Sequence, residues 1–445
     1  MLSCEALEEL ARGKTDAWLG NATSLCAAFA QSFFEGTPEA SDLRRSTALL
    51  ESLVSMQRRC PRVFGGQASH WGIDAGHLFG AWTAERAMST VANAASTDDA
   101  VARTVESVSG RLLLGGYQGA AIHAVVWHAV WKRSTALNPS QWPAELWRYS
   151  EYLCNFARQR THVYSERTLV TACIHGLGHG VWIASAVHGS SELHGFSACS
   201  QIYSGRLPYT FVSDLQRISR ATAVCEDAPT VALGYVCSTG LYMGLWQHAT
   251  LIEPGRPVGG YFKLCDAARF PAACFIFFFK KFRPIRSICL QSLPNANQTL
   301  RERSRKGCIF AAAATVKDGT SAAERCGTFV RMSEWLEWNA AEKLRWRACI
   351  AGAYYGTRRG WGQLGGDGCA GLRSTLSGSI TLALQAHAAA ALKEEEAFCQ
   401  RVVAGAGDGA TAGKWGETTG IASLRSIHLR QFPLDVLEAG NTLER

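Results

Sequence analysis

One twelve-residue segment concentrates the residue types that could do chemistry. Residues 171–182 read TACIHGLGHGVW and contain one cysteine, two histidines and three glycines. His175 and His179 are four residues apart, so on a helix both imidazoles lie on one side and could bind the same metal ion. Zincin helices use this spacing, but Gly176 stands where those enzymes carry the general-base glutamate. The pair predicts a site for zinc or another divalent transition metal and assigns no catalytic residue.

A metal held by two histidines needs at least one more ligand, and the sequence offers several. Nine of the twelve histidines lie between residues 70 and 194. The candidates for a third ligand are three imidazoles and three carboxylates: His123, His128, His188, Glu166, Glu192 and Asp214. No spacing selects among them. The alternative is that His175 and His179 are core residues that bond to backbone carbonyls.

A basic segment between residues 280 and 306 is a second candidate surface. It carries eight lysines and arginines against one acid, Glu302. We expect it to bind an acidic protein or an anionic glycan, and the alternative is an ordinary solvated face. A glycosylation sequon at Asn297 argues against nucleic acid as the partner. The chain also lacks the Walker and G-x-S-x-G motifs.

A repeated pattern indicates the elements that position these side chains. Cys173, Cys237 and Cys349 are each followed by glycine at the third and seventh positions, giving C-x-x-G-x-x-x-G. Residues with this spacing share one side of a helix, and small residues there let two backbones approach closely. Two upstream copies are predicted, Leu112/Gly115/Gly119 and Ser69/Gly72/Gly76, with leucine or serine replacing cysteine. The same two slots that hold the histidines contain Thr239 and Met243 in the next copy.

Ten of the sixteen cysteines, from Cys225 onward, fall into successive pairs along the second half of the chain. Second members of the pairs recur every 34 to 50 residues, which is close to the period of a helical hairpin. We predict these disulfides: Cys225–Cys237, Cys265–Cys274, Cys289–Cys308, Cys326–Cys349, Cys369–Cys399 and Cys154–Cys173. Cys4, Cys26, Cys60 and Cys199 have no predicted partner.

The cysteine pairs also bear on the cellular compartment. Disulfides and the sequons at Asn21 and Asn297 are typical of a glycosylated protein that is secreted or held in the lumen of the secretory pathway. The first residues, MLSCEALEELARGK, do not read as a signal peptide, so a cytoplasmic protein with buried free cysteines is the alternative. No run of about 18 uninterrupted apolar residues predicts a membrane span.

Composition indicates a folded chain, because 47% of the 445 residues are hydrophobic and 18% are charged. We predict four parts. They are an N-terminal helical segment at 1–60, a histidine-rich helical region at 61–250, cysteine-paired helical repeats at 251–402, and a glycine-rich loop with a C-terminal tail at 403–445. The predicted fold is all-α, an array of helical hairpin repeats that forms an α-solenoid or an α/α toroid and is reinforced by disulfides.

The segments GGYQGAAIH and CIHGLGHGVW, with the later glycine-spaced cysteines, resemble a group of uncharacterised cysteine-rich helical-repeat proteins that carry a C-x-H-G-x-G-H motif. That resemblance covers residues 60–400 and implies no activity. A more distant similarity is to lanthionine-cyclase-like α/α toroids, whose zinc is bound by two cysteines and a histidine. This chain lacks the W-C-x-G and C-H-G motifs of that zinc site. The predicted function is a binding or scaffold protein, and the alternative is a metal-dependent enzyme centred on His175 and His179.

Overall fold

The computed structural model describes most of the middle of the chain. The described residues are 75–89, 94–109, 116–159, 166–187, 215–248, 264–266, 268–282, 298–315 and 340–358, with scattered residues at 51–60, 289, 325–329, 393 and 397. Nearly all of them are helical, and none of them is in a strand. The predicted all-α class is therefore confirmed.

Ten α-helices and one 3₁₀ turn, Pro139–Gln141, account for most of these residues. The helices are α1 Ala75–Ser89, α2 Ala94–Ser109, α3 Gly116–Thr135, α4 Trp142–Gln159, α5 Glu166–Val187, α6 Leu215–Glu226, α7 Val231–His248, α8 Pro271–Phe282, α9 Gln298–Thr315 and α10 Ala340–Arg358. The chain divides between Pro254 and Gly255 into two compact units, which are described separately.

Local sequence fixes where several helices begin. The Asn138 side chain accepts a hydrogen bond from the Ser140 amide, and Gln141 accepts one from the Asn138 amide, which forms a capping box just before α4. The Thr230 hydroxyl oxygen accepts from the Leu233 amide at the start of α7. Helix α8 begins with Pro271, whose missing amide proton costs nothing in a first turn.

In the first unit, alternate helices pack side by side. Among α1, α3, α5 and α7, each helix contacts the next one in the series. The intervening helices α2, α4 and α6 form a second series of contacts in the same way. In the second unit, α8 packs on α9 and α9 packs on α10. The first unit buries large tryptophans, Trp142, Trp182 and Trp246, whereas α8 of the second unit buries a cluster of phenylalanines.

Glycines allow the closest of these contacts. A Cβ atom added to Gly176 would lie 2.5 Å from the His123 carbonyl oxygen, and one added to Gly180 would lie 2.6 Å from that of Trp127. No real side chain fits at such distances, so the predicted packing role of this glycine stripe on α5 is confirmed. The upstream copy at Gly119 lacks such a close contact. A Cβ added to Gly119 would lie 3.8 Å from its nearest neighbouring atom, the Ala172 Cβ.

Five disulfides link these helices to the segments that precede them, and all five were predicted from spacing. They are Cys154–Cys173, Cys225–Cys237, Cys265–Cys274, Cys289–Cys308 and Cys326–Cys349, with Cα–Cα distances of 5.2–5.8 Å. The sequence separations of 9 to 23 residues correspond to about 2.6 to 3.4 kcal/mol each in the loop-entropy model.

Some cysteine predictions cannot be compared with the structure. The predicted Cys369–Cys399 bridge lies outside the described residues, as do Cys4, Cys26 and Cys199. Cys60 is disulfide-bonded, although sequence analysis assigned it no partner. Every described cysteine is oxidised, which favours an oxidising, extracytoplasmic environment.

Helix α5 also passes a simple test for a membrane span. Its stretch Leu169–Ala186 is long and apolar enough to cross a bilayer, and it is the one such stretch in the part of the chain that the structure describes. Other helices of the protein bury 83% of that stretch. Core helices have the same composition, so this stretch alone is weak evidence for a membrane.

Candidate metal centre

Three histidines from two neighbouring helices converge in the first unit. His175 and His179 occupy successive turns of α5, and His123 comes from α3. One ring nitrogen from each lies within 4.8 Å of the others. Gly176 and Gly180 cause this convergence, because they let the α3 backbone approach α5 at the level of His123. The helix contact that the glycines permit therefore also assembles the imidazoles.

The spacing suits a metal ion after a small adjustment of the rings. Bonds of about 2.0 to 2.1 Å place two ligand nitrogens about 3.4 Å apart around a tetrahedral ion. The three ring nitrogens lie within 4.8 Å of one another, so their separations must shorten by up to about 1.4 Å on binding. Rotation about the side-chain torsions can supply that movement without a backbone shift.

Thr239 on α7 fixes the orientation of the His175 ring. Its hydroxyl donates to the Val236 carbonyl oxygen at 2.6 Å, and its oxygen lies 2.8 Å from His175 Nδ1. When the hydroxyl donates its proton to Val236, the His175 Nδ1–H donates to Thr239. The neutral ring then carries its lone pair on Nε2, the nitrogen that a metal would use.

His77 on α1 plays the corresponding part for His123. His77 Nε2 lies 3.2 Å from His123 Nδ1, so one ring donates to the other. His123 is 5% exposed, and its Nε2 has no hydrogen-bond partner among the described residues. If His123 Nδ1–H donates to His77, the lone pair of Nε2 is directed away from that bond and is free to bind a metal. Metal-bound histidines commonly have such a partner for their second nitrogen.

Burial keeps the His123 ring neutral. Desolvation lowers the pKa of His123 well below its ordinary value, and the neighbouring His179 and His77 lower that pKa further. A metal binds the neutral form of imidazole, so no proton has to be removed from His123 at neutral pH.

Tryptophan and glycine form the walls around the cluster. The Trp127 ring stacks on the His179 ring with centroids 5.7 Å apart and an interplanar angle of 25°. On α7, a Cβ added to Gly244 would lie 2.8 Å from Trp182 Cδ1 and 3.2 Å from His179 Nδ1. A side chain at residue 244 would therefore push into the space that the His179 ring occupies.

Of the predicted candidates for a third ligand, the structure describes the side chains of His123 and His128. His123 joins the pair. His128, five residues further along α3, is fully buried, packs edge-on against Trp131 and is not among the converging nitrogens. His188, Glu192 and Asp214 lie outside the described residues, and nothing is described of the Glu166 side chain.

Sequence reasoning did not identify His77, Thr239 or Met243 as members of this region. Met243 Sδ lies 3.3 Å from His175 Nε2, and Thr239 bonds the same ring. Both had been noted only as the residues that replace histidine in the next copy of the glycine pattern. Their equivalent positions in the pattern were the available signal. When two helices that carry the pattern pack side by side in parallel, residues at equivalent positions come into contact.

The basic segment is less open than its sequence suggests. In its described part, Lys280 and Arg301 are exposed, but Lys306 is only 2% exposed. Arg305 donates to Glu302 at 2.8 Å, and Arg345 of α10 also donates to that carboxylate. Intrachain contacts therefore use part of the charge that was predicted to face a partner, and partner binding stays a prediction.

Comparison with known proteins adds no relatives. No protein-family model matches the chain, and no curated protein and no solved structure matches it either. The two resemblances drawn from sequence motifs therefore stay predictions, and the evidence for function comes from the histidine cluster.

Proposed function

We propose that this chain is a disulfide-braced helical-repeat protein that binds a transition-metal ion through His123, His175 and His179. The observation that carries the proposal is the pairing of the rings. His175 Nδ1 lies against the Thr239 hydroxyl, and His123 Nδ1 lies against His77 Nε2. In the tautomers in which each Nδ1 carries the proton, both rings present the Nε2 lone pair to a shared ligand, which is how proteins orient metal-binding histidines.

The repeat architecture is part of the same proposal. Its support is the alternation of contacts in the first unit, together with the cysteine that recurs on α5, α7, α9 and α10. Stacked hairpins of this kind make an extended array in which each helix contacts its neighbours, as in an α-solenoid or an α/α toroid. We propose such an array in a secreted or lumenal protein, because the disulfides favour an oxidising compartment.

We favour metal binding over the metal-dependent enzyme that the sequence left as an alternative. A hydrolytic metal site normally pairs the ion with a general base. Within the described residues, the converging donors are three imidazoles, and no carboxylate is among them. These three imidazoles can bind a metal ion, so a binding or scaffold role is the function that this cluster supports best.

The test measures the metal content and zinc affinity of the full chain. The purified protein is stripped with a chelator, loaded with Zn²⁺, desalted and analysed by mass spectrometry, with the affinity taken from a competition titration. We expect one tightly bound ion per chain and its loss in His175→Gln and His123→Gln. His128→Gln is the matched control, because His128 is a buried histidine on the same helix as His123 and lies outside the cluster.

Glutamine approximates the size of histidine, and circular dichroism of each metal-free variant separates loss of a ligand from loss of the fold. Zinc that remains stoichiometric in the folded His123→Gln and His175→Gln variants would contradict the proposal. Equal loss in the His128→Gln control would also contradict it.

A further inference from the structure

A sulfur atom faces the histidine cluster. Met243 Sδ, on α7, lies 3.3 Å from His175 Nε2. We infer that Met243 is a fourth ligand of the cluster and that the site is selective for monovalent copper. This inference rests on the proposed metal site, and it specifies the ion that the site binds.

The first support is the tautomer in which the Thr239 hydroxyl donates to Val236. His175 then donates from Nδ1 to Thr239 and keeps a lone pair on Nε2. In that tautomer the contact between Nε2 and Met243 Sδ joins two electron-pair donors. Such a contact is unfavourable alone and becomes favourable when a cation lies between them.

The distance fits that arrangement. A tetrahedral ion with bonds of about 2.0 Å to nitrogen and about 2.3 Å to sulfur separates the two donors by about 3.5 Å. The observed 3.3 Å is close to that value. The Met243 sulfur and His175 Nε2 therefore already have the separation of two ligands of one ion.

The donor set selects a soft ion. A thioether prefers Cu(I) to harder divalent ions, whereas imidazole accepts either. Every described cysteine is in a disulfide, so thiolates are not available from that part of the chain. Met243 is then the soft donor of the cluster, and it distinguishes this site from one built of imidazoles alone.

Burial selects a low charge. His123 and His179 are 5% and 3% exposed, and Trp127 covers the His179 ring. The described donors are all neutral, so the bound site carries the full charge of the ion. The desolvation cost of an ion grows with the square of its charge, so a divalent ion costs about four times as much to bury as a monovalent one. Copper(I) combines the softness and the charge that the site requires.

The experiment compares two metals in three proteins. Full-length wild type, Met243→Leu and Met88→Leu are titrated anaerobically with Cu(I) in competition with bicinchoninate, and separately with Zn²⁺. Leucine conserves volume and removes the sulfur. Met88 is a half-buried methionine on α1 of the same unit, so its substitution controls for loss of a thioether elsewhere.

We expect Met243→Leu to weaken Cu(I) binding by at least about tenfold, since even outer-sphere substitutions at metal sites cost about 10- to 100-fold. Zinc affinity should change less than about twofold, and Met88→Leu should match wild type. Unchanged Cu(I) affinity in Met243→Leu would overturn this inference while leaving the three-histidine site intact. Failure of wild type to bind either metal would overturn the proposed function as well.

Discussion

The contact between α5 and α7 and the contact between α9 and α10 are built in the same way but contain different side chains. In the first, a Cβ added to Gly240 would lie 1.9 Å from the His175 carbonyl oxygen; in the second, one added to Gly352 would lie 2.1 Å from that of Phe310. Each glycine comes three residues after a bridged cysteine, and each carbonyl belongs to the residue two after a bridged cysteine.

The difference lies in what fills the slot two residues after the cysteine. His175 and Thr239 meet there in the first unit, and Phe310 and Ala351 occupy the same slots in the second. Helix packing therefore requires the cysteine and the glycine. The position two residues after the cysteine can hold either apolar or metal-binding residues. Fold and chemistry are encoded by different positions of one pattern.

The largest expected effect is common to both contacts. Gly240→Ala and Gly352→Ala should each lower the free energy of unfolding by about 4 kcal/mol, above the usual overpacking cost of about 1 to 3 kcal/mol. The reason is that the clashing neighbour is a carbonyl oxygen in a helix, which cannot rotate away. Denaturant unfolding of each variant measures the loss.

Gly119→Ala is the matched control for both substitutions. A Cβ there would meet Ala172 at an ordinary 3.8 Å, so alanine should stabilise the helix by up to about 1 kcal/mol. Equal destabilisation at residues 119, 240 and 352 would show that close packing does not distinguish these glycines.

Disulfide removal should also affect both units alike. Replacing Cys225 and Cys237 together by alanine removes a bridge that spans 12 residues, and replacing Cys326 and Cys349 removes one that spans 23. The loop-entropy model predicts losses of about 2.8 and 3.4 kcal/mol. Thermal and denaturant unfolding under non-reducing conditions provide the measurement, and variants as stable as wild type would mean that the bridges do not brace the fold.

A smaller effect should be confined to the first unit. Thr239→Val keeps the shape of the side chain but removes the acceptor for His175 Nδ1–H. Metal affinity should fall by about 10- to 100-fold, because the ring loses the bond that fixes its tautomer and orientation. Thr315→Val on α9 is a control, since that hydroxyl donates to helix carbonyls away from the cluster. Equal metal affinity in the two variants would argue against a positioning role for Thr239.

The smallest effect belongs to the second unit and depends on pH. Burial raises the pKa of Asp266 to about 6, although the Ser304 hydroxyl that donates to it acts in the opposite direction. Between the unfolded value near 3.8 and about 6, the folded chain holds a proton that the unfolded chain has lost. Stability therefore falls as pH rises through this interval and levels off above it.

Asp266→Asn isolates that contribution, because asparagine keeps an acceptor for Ser304 without titrating. Melting temperatures of wild type and variant, measured from pH 4 to pH 7, should converge at the acidic end and separate toward neutral pH. Parallel curves would show that Asp266 contributes nothing to the pH dependence of stability.

Sequence alone predicted the covalent and local features of this fold. The five described disulfides followed from cysteine spacing, and the role of Gly176 and Gly180 followed from helical periodicity. The upstream copy predicted at Gly119 makes no such close contact. Gly80 on α1 makes the close approach to α3 instead, against the Ala121 carbonyl oxygen. The residue on the α3 side of this contact is an alanine, so a search for glycines does not find it.

Sequence analysis predicted only part of the histidine cluster and its surroundings. His175 and His179 could be paired because their spacing lies within one helix. The positions of His77, Thr239 and Met243 depend on the register between neighbouring helices, which is a tertiary property. Periodicity along one helix contains no information about that register.

X-ray absorption at the zinc K edge tests the central claim most directly. Zinc-loaded full-length protein should show nitrogen scatterers at about 2.0 to 2.1 Å together with the outer-shell pattern of about three imidazoles. The His175→Gln variant, loaded and desalted in the same way, should lose the bound ion and its imidazole pattern. A wild-type spectrum with only oxygen ligands, or an imidazole spectrum unchanged in His175→Gln, would contradict the claim that these helices assemble a histidine metal site.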